Sequence, residues 1–198
     1  MQRRDFMLKT AGALALGSLA AAGCTTSMTA TTSPDKASTS EKRRRELQDG
    51  IDTTLTRLYA TVPDSRELVA KANGVLTFPH VVAAGFWIGG QYGEGALQVK
   101  NAPAGYYSVA SVSIGLQIGA QSKAIIFLFM TQEALDNFRK SEGWSAGADA
   151  SVAVLKVGAN GTIDTSSASG PVLAFVLTNA GLMANLTLEG TKISRLQI

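Results

Sequence analysis

Cysteine and histidine, which supply many catalytic and metal-binding side chains, are almost missing from this 198-residue chain. It holds one cysteine, Cys24, and one histidine, His80. A single cysteine excludes an internal disulfide framework, and a zinc site needs three or four ligands, mostly nitrogen or sulfur. A serine–histidine–aspartate or cysteine–histidine arrangement would have to use His80. We therefore expect no metal, no cofactor and no enzymatic activity, and a hydrolase that uses His80 is the weakest alternative.

A phosphate-binding loop and a basic folded domain are also missing. The segment Gly85-x-x-x-Gly89-Gly90 lacks the Gly-Lys-Ser/Thr ending that a P-loop needs. Residues 46–198 carry 10 basic and 12 acidic side chains, so the net charge of +3 comes from the residues before them. A nucleic-acid-binding protein is expected to carry its positive charge on the folded domain. Nucleic acid is therefore not an expected partner.

Residues 1–23 have the pattern of an export signal rather than of a folded segment. The pair Arg3-Arg4, followed by apolar residues and a lysine, resembles the twin-arginine signal. The apolar run at 11–22 is shorter than the roughly 20 residues that a membrane-spanning helix needs. This segment is expected to direct the chain out of the cytoplasm.

Small residues precede Cys24, as in the lipobox of bacterial lipoproteins. We predict lipid attachment at Cys24, with diacylglycerol on the thiol and a further acyl chain, such as palmitate, on the amine, because several chains anchor firmly. Thr25 is not aspartate, which by resemblance to lipoprotein sorting indicates the outer membrane, with the domain facing the periplasm. Residues 24–40, rich in Thr, Ser and Ala, are expected to form a flexible tether. The alternative is an ordinary cleaved signal followed by a free thiol.

The segment 41–73 predicts two helices. The first has an apolar stripe with steps of three and four residues, typical of a helix packed on a core. The stripe consists of Leu47, Ile51, Leu55, Leu58 and Val62. In the second helix, Asp64 and Glu67 have the spacing of a capping box, and Gly74 is expected just past its end.

A cluster of four cations lies near the predicted start of the first helix, where the helix dipole disfavours positive charge. Beside a membrane tether, this placement predicts contact with anionic headgroups, at about 1 kcal/mol for each cation near a charged surface. The alternative is a solvated run of charges that leads into a core helix. The candidate lipid-binding residues are Lys42, Arg43, Arg44, Arg45 and Lys71.

The stretch 74–99 is apolar and rich in glycine, and Glu94 is its only charged residue. Its motif I-G-x-Q-x-G, at 88–93, recurs at 114–119. Strand alternation places Gly89, Gln91, Gly93 and Gly95 on one face of the first copy, and Gly115, Gln117, Gly119 and Gln121 on one face of the second. Glycine inside a strand indicates a bulge, a bend or a close backbone contact. The two strands are predicted to pair and to admit a helix or ligand, or alternatively the glycines only permit twist and curvature.

The remaining pattern predicts an α+β fold with an antiparallel, Gly-rich, curved or barrel-like sheet, two N-terminal helices and one short helix in the middle. The short helix begins after Thr131, buries Leu135 and Phe138, and is closed by Gly143-Trp144. Asn160-Gly161 is a preferred hairpin pair. The predicted strands are about 75–78, 81–90, 92–100, 106–120, 123–130, 149–157, 171–178, 182–189 and 191–197. The aromatic residues expected in the core or a belt are Trp87, Tyr92, Tyr106, Tyr107 and Trp144.

From about residue 64 to residue 198 the chain resembles the SYLF domain, a lipid-binding domain of bacterial lipoproteins and of some eukaryotic proteins. The residues that carry the resemblance are Ala72–Pro79, Ala84–Phe86, Ile88–Gly95, Gly115–Gln121, Gly181–Leu182 and Leu188–Gly190. The resemblance implies binding of anionic phospholipid, with a basic amphipathic N-terminal helix contributing in some members; one fungal member also binds actin.

The expected organisation is a signal at 1–23, a lipidated tether at 24–40 and a SYLF-like domain at 41–198. This domain would be helical from 41 to 73 and mainly β from 74 to 198. The expected function is that of a non-catalytic envelope lipoprotein that engages an anionic phospholipid membrane. The alternative is an envelope scaffold that binds an unidentified protein partner and touches lipid only through its acyl chains.

Overall fold

The structure, a computed structural model, describes residues 34–86, 88–114, 119–155, 163, 169–179, 181–182, 188 and 190–198. Cys24, the export signal and the predicted turn at Asn160-Gly161 lie outside these residues. The helices are α1 (Pro34–Thr61), α2 (Ser65–Lys71) and α3 (Gln132–Lys140). The strands are β1 (Gly74–Phe86), β2 (Ile88–Val99), β3 (Ala102–Ile114), β4 (Gly119–Phe129), β5 (Gly143–Ser145), β6 (Val152–Val154), β7 (Val172–Thr178), β8 (Gly181–Leu182) and β9 (Lys192–Leu196). Among these helices, none is long and apolar enough to cross a bilayer.

All nine strands join one sheet in the order β5-β9-β3-β2-β1-β4-β7-β6, with β8 paired to β7. Neighbouring strands are antiparallel except β6 and β7, which are parallel. The prediction of an α+β fold with three helices and a curled, mostly antiparallel sheet is therefore confirmed. Within the described residues the end strands β5 and β6 do not pair with each other, so the sheet is open and not a closed barrel.

Helices cover parts of both faces of the sheet. On one face α1 and α2 pack over alternate residues of β4 and β7, such as Ile126 and Phe175. The predicted stripe of α1 is confirmed, because Ile51 and Leu58 are fully buried and Val62, just past the helix, is buried with them. This face therefore owes its core to the 3.6-residue period of α1 and the two-residue period of the strands.

On the other face α3 closes a second core that is rich in aromatic rings. The ring of Phe138 lies 4.8 Å from those of Phe129 and Tyr107 and 5.7 Å from that of Trp144, between centroids. Thr131 caps α3 as predicted, since its side-chain oxygen accepts a hydrogen bond from the Ala134 N–H at 3.2 Å. Tyr107 and Trp144 are thus core aromatics, as expected.

Three expectations about the helices were wrong. Helix α1 begins at Pro34 and not at 41, because proline fits the first helical position, where its missing N–H needs no partner. Asp64 makes no capping hydrogen bond; instead Ser65 donates to the Val62 carbonyl at 2.6 Å. Gly74 opens β1 and does not end α2, and a Cβ there would lie 2.7 Å from a Leu135 methyl.

Strand β1 continues through Pro79, where two separate strands were predicted. The pairing with β2 and with β4 shifts register around Phe78–Pro79, which marks a β-bulge. A bulge is the place where a central strand tolerates proline, since proline has no N–H to give to the ladder. Gly95 faces this bulge, and a Cβ there would lie 2.3 Å from the Thr77 carbonyl oxygen. The prediction of a bulge with close backbone contact is confirmed.

The second copy of the glycine motif is described only at its two ends, and its first residue, Ile114, lies in β3 opposite Ile88 of β2. Residues 115–118 lie outside the described residues, whereas Gly119 and Gln121 belong to β4. Ala83 of β1 pairs with Gln91 on one side and with Gln121 on the other. Gly119 and Gln121 therefore lie on the other side of β1 from the first motif, whereas the predicted pairing of residues 115–118 lies outside the described residues.

The glycines of β2 provide a test of this packing. Gly95→Ala is expected to lower the free energy of unfolding by about 1–3 kcal/mol, as overpacking does, because the new methyl meets backbone at the bulge. Gly90→Ala is the matched control, since its Cβ would meet only one atom, at 4.0 Å, and is expected to change stability by about 0.5 kcal/mol or less. Urea unfolding measures both, and equal stability of the two variants would contradict the proposed contact.

Candidate functional site

Helix α1 crosses the sheet at the Pro79 bulge. A Cβ built on Gly50 would lie 3.1 Å from Pro79 Cγ, so the absence of a side chain at Gly50 lets helix and bulge approach closely. Glycine inside a helix costs about 1 kcal/mol relative to alanine. The close crossing holds the N-terminal half of α1 against β1 and β2, and a cleft opens beside it.

This cleft, called the α1 cleft below, has a volume of about 600 Å³, within the usual range for small-molecule sites. Its apolar lining comes from Leu47, Pro79, Val82, Gly90 and Gly93. Its polar lining comes from Arg43, Glu46, His80, Gln91, Tyr92 and Glu94. An apolar floor with polar groups around it suits an amphipathic ligand, which has both an apolar chain and a polar group.

An ion pair between Arg43 and Glu94 spans the α1 cleft from helix to strand. The Arg43 Nε donates to Glu94 Oε2 at 3.0 Å, and a second guanidinium nitrogen donates to Oε1. The Tyr92 hydroxyl also donates to Oε1, at 3.0 Å. The pair is partly shielded, since the Glu94 side chain is 22% exposed. It therefore fastens α1 to β2.

The pKa values of Arg43 and Tyr92 are both raised at this contact. The hydrogen bond to Glu94 raises the pKa of Arg43 further, so the guanidinium stays charged. Loss of water around the hydroxyl, and then the hydrogen bond to Glu94, raise the pKa of Tyr92 above its usual value of 10.0. The Tyr92 side chain as a whole is half exposed, but its hydroxyl is held against Glu94.

The four predicted cations of α1 divide into an inner and an outer pair. Arg43 is held by Glu94, and Arg44 donates to the Ile198 carbonyl oxygen while its guanidinium carbon lies 5.8 Å from the Tyr106 ring centroid. The outer pair, Lys42 and Arg45, has side chains 78% and 80% exposed. A helix turns 100° per residue, so adjacent cations cannot all face one surface.

The four cations do not lie at the start of α1, so the argument from the helix dipole was wrong. Lys42 lies eight residues after the start of α1 at Pro34, beyond the first turn in which the helix dipole acts. Lys71 is not near the cluster either. It pairs with Glu67 at 2.6 Å and lines a hollow with Leu55, about 18 Å further along the axis of α1 than Arg43.

His80 is exposed on β1 at the edge of the α1 cleft. Within the described part of the chain, no group of three or more His, Cys, Asp or Glu side chains could hold a metal ion. The predicted strands 75–78 and 81–90 left His80 between them, whereas the bulge makes it part of the continuous strand β1. Sequence reasoning also missed the pairing of Glu94 with Arg43, although Glu94 stood out as an isolated charge in an apolar stretch.

Comparison with known families identifies the second half of the domain. The family described as "Ysc84: Las17-binding protein actin regulator" matches residues 110–197. This segment, somewhat less than half of the chain, is therefore similar to the Ysc84, or SYLF, family. The prediction of a SYLF-family domain is thereby confirmed, and no curated protein matches the chain. The matched SYLF segment runs from β3 to β9 and includes none of the residues that line the α1 cleft.

A double-mutant cycle measures the coupling free energy between Arg43 of α1 and Glu94 of β2. Combining Arg43→Gln with Glu94→Gln is expected to give a coupling free energy of about 1 kcal/mol, the upper end for partly exposed pairs, because the bond is bidentate. The control cycle uses Lys42→Gln and Glu46→Gln, an exposed pair on the same helix, with an expected coupling below about 0.5 kcal/mol. Equal couplings in urea unfolding would show that Arg43 and Glu94 do not fasten the helix.

Lys123, on β4, offers a pH-dependent test. Burial lowers its pKa below 10.5, so the unfolded chain binds this proton more tightly and protonation favours unfolding. Lys123→Met is expected to raise the free energy of unfolding at neutral pH, and the gain should shrink as the pH rises toward 10.5. The control is Lys140→Met, at an exposed position of α3. A gain that is the same at all pH values would assign the effect to packing and not to charge.

Proposed function

We propose that this chain is a non-catalytic lipoprotein of the bacterial envelope that binds anionic phospholipid. Under this proposal Cys24 carries the acyl chains and holds the SYLF domain at the periplasmic side of the outer membrane. The similarity of residues 110–197 to the SYLF family supports a lipid-binding role. The observation that carries the proposal is the α1 cleft, whose apolar floor suits an acyl chain and whose helix α1 also bears the exposed cations Lys42 and Arg45.

The outer pair of cations supplies the contact with phosphate. Lys42 and Arg45 pair with Glu46 at 3.7 Å and with Glu41 at 3.4 Å. Exposed pairs of this kind contribute at most about 1 kcal/mol, so a lipid phosphate can replace the carboxylates. Arg43 has a different role, because releasing it from Glu94 would loosen α1.

A second candidate function is that of a protein-interaction module anchored only through its acyl chains. The description of the matched family names a protein partner, Las17, and a role in actin regulation. Carried to this chain, the description favours a protein partner on the segment 110–197. The α1 cleft would then have no part in recognition, which separates the two candidates.

Vesicle co-sedimentation tests the lipid-binding proposal on the full chain with Cys24→Ser, which removes the acylation site. The Cys24→Ser chain with no other substitution should bind phosphatidylcholine vesicles that contain phosphatidylglycerol, and it should bind them more tightly at low salt. Lys42→Ala with Arg45→Ala should weaken this binding about tenfold or more, since each cation near such a surface contributes about 1 kcal/mol.

The matched control is Arg139→Ala with Lys140→Ala, which removes the same charge from α3 and should leave binding nearly unchanged. Lys71→Ala is measured separately, because Lys71 lies near the other end of α1. Equal losses in both double variants would mean that net charge alone drives binding. No sedimentation with any vesicle would remove the lipid-binding proposal and leave the protein-interaction module.

A further inference from the structure

Three apolar side chains lie exposed on the sheet face that carries α1, beyond the helix. Val82 and Tyr92 are cross-strand partners in β1 and β2, and Val112 in β3 is opposite Gly90. They are 52%, 51% and 77% exposed, respectively. Val82, Tyr92 and Gly90 also line the α1 cleft. The side chains of Val82, Tyr92 and Val112 are called the hairpin patch below. They continue the floor of the cleft toward the end of the β1–β2 hairpin.

The sequence around the hairpin patch contains no charge. Residues 81–93 and 101–122 include no Asp, Glu, Lys or Arg, although these four types make up 17% of the chain. Core packing does not account for apolar side chains that are half exposed or more. Contiguous exposed apolar surface in a soluble domain marks an interaction site, and a long charge-free stretch is what a lipid environment requires, since buried charge there is costly.

We infer that the sheet face that carries the hairpin patch enters the boundary between headgroups and acyl chains of a bilayer, with the hairpin patch as its contact surface. The inference rests on the proposed function for the identity of the partner, and it assigns the hydrophobic part of the contact. The cations of α1 and the hairpin patch then act on the same membrane through different forces, one sensitive to salt and one not.

The backbone of this hairpin suits an apolar environment. Both strands are paired on both sides near the hairpin end, with Gly85 opposite Gly89 and Gly119, and Gly89 opposite Ser113. Lipid cannot satisfy free N–H and C=O groups, so strands enter it only when they are paired. In the described residues β3 loses its outer partner β9 beyond Ala110. That open edge limits insertion to a depth that water still reaches.

The side chain of Tyr92 and the short segment between Cys24 and α1 both support a shallow position in the bilayer. Tyr92 presents an apolar ring while its hydroxyl stays bonded to Glu94, and tyrosine is enriched at the level of the headgroups. Helix α1 begins ten residues after Cys24, a segment that spans at most roughly 35 Å when extended. An acylated Cys24 would therefore hold the domain within reach of the bilayer.

Fluorescence from a single site tests the insertion directly. The full chain with Cys24→Ser and Val112→Cys has one thiol for an environment-sensitive dye. Addition of phosphatidylcholine vesicles, with or without phosphatidylglycerol, should shift the emission to the blue, and nitroxide lipids labelled near the headgroup should quench it. The same dye on Glu133→Cys, an exposed position in α3, should not respond.

Binding measurements separate this inference from the proposed function. Val112→Asp should weaken binding to vesicles about tenfold or more at both low and high salt, whereas Val112→Thr, which has the same shape and no charge, should lose much less. Urea unfolding of both variants checks that the fold is intact. Loss of binding only on anionic vesicles and only at low salt would assign it to electrostatics and overturn the inference.

Two other results would also overturn it. If the chain binds vesicles and depends on Lys42 and Arg45, but the dye at position 112 is not quenched, the proposed function stands and hairpin insertion is wrong. If Val112→Asp converts a dimer into a monomer in sedimentation velocity and leaves vesicle binding unchanged, the hairpin patch is a surface between two copies of the chain.

Discussion

The missing N–H of Pro79 is the constraint on which the rest of this structure depends. A proline in the middle of a sheet cannot complete the ladder, so β1 bulges between its two partner strands. The bulge brings the proline ring against α1 at Gly50 and requires a glycine, Gly95, on the strand opposite. The position of the helix, the glycine at position 95 and the cleft beside the helix thus have one common cause.

The ion pair of Arg43 and Glu94 completes what the bulge begins. Close packing at Gly50 fixes where α1 crosses the sheet, and the ion pair fixes its N-terminal half over β2. One cation is thereby used to hold the fold, while its neighbour Lys42 remains exposed. A run of four basic residues therefore combines a structural contact with a surface that remains available to a ligand.

The periodic features of the sequence predicted the helices, strands and core well, but the sequence did not predict the contacts between distant segments. Leu58 and Phe138 were placed in the core because helix periodicity depends only on neighbouring residues. The glycine-rich pattern predicted a bulge but not its position. Because the bulge lies at Pro79, the two strands predicted on either side of this proline form one strand. The partner of Arg43 was not predictable, because Glu94 is 51 residues away and only the register of β1 and β2 brings it near.

The contacts of α1 also bear on the order in which the domain assembles. Arg43 is bonded to a residue 51 positions later in the chain and Arg44 to one 154 positions later, whereas β1 with β2 and β2 with β3 pair through short connections. Closing short loops loses less chain entropy, so the hairpins are expected to form first and α1 to dock afterwards. Weakening the docked helix would then mainly accelerate unfolding and leave the folding rate almost unchanged. The lifetime of the native state, more than its speed of formation, depends on how α1 is held.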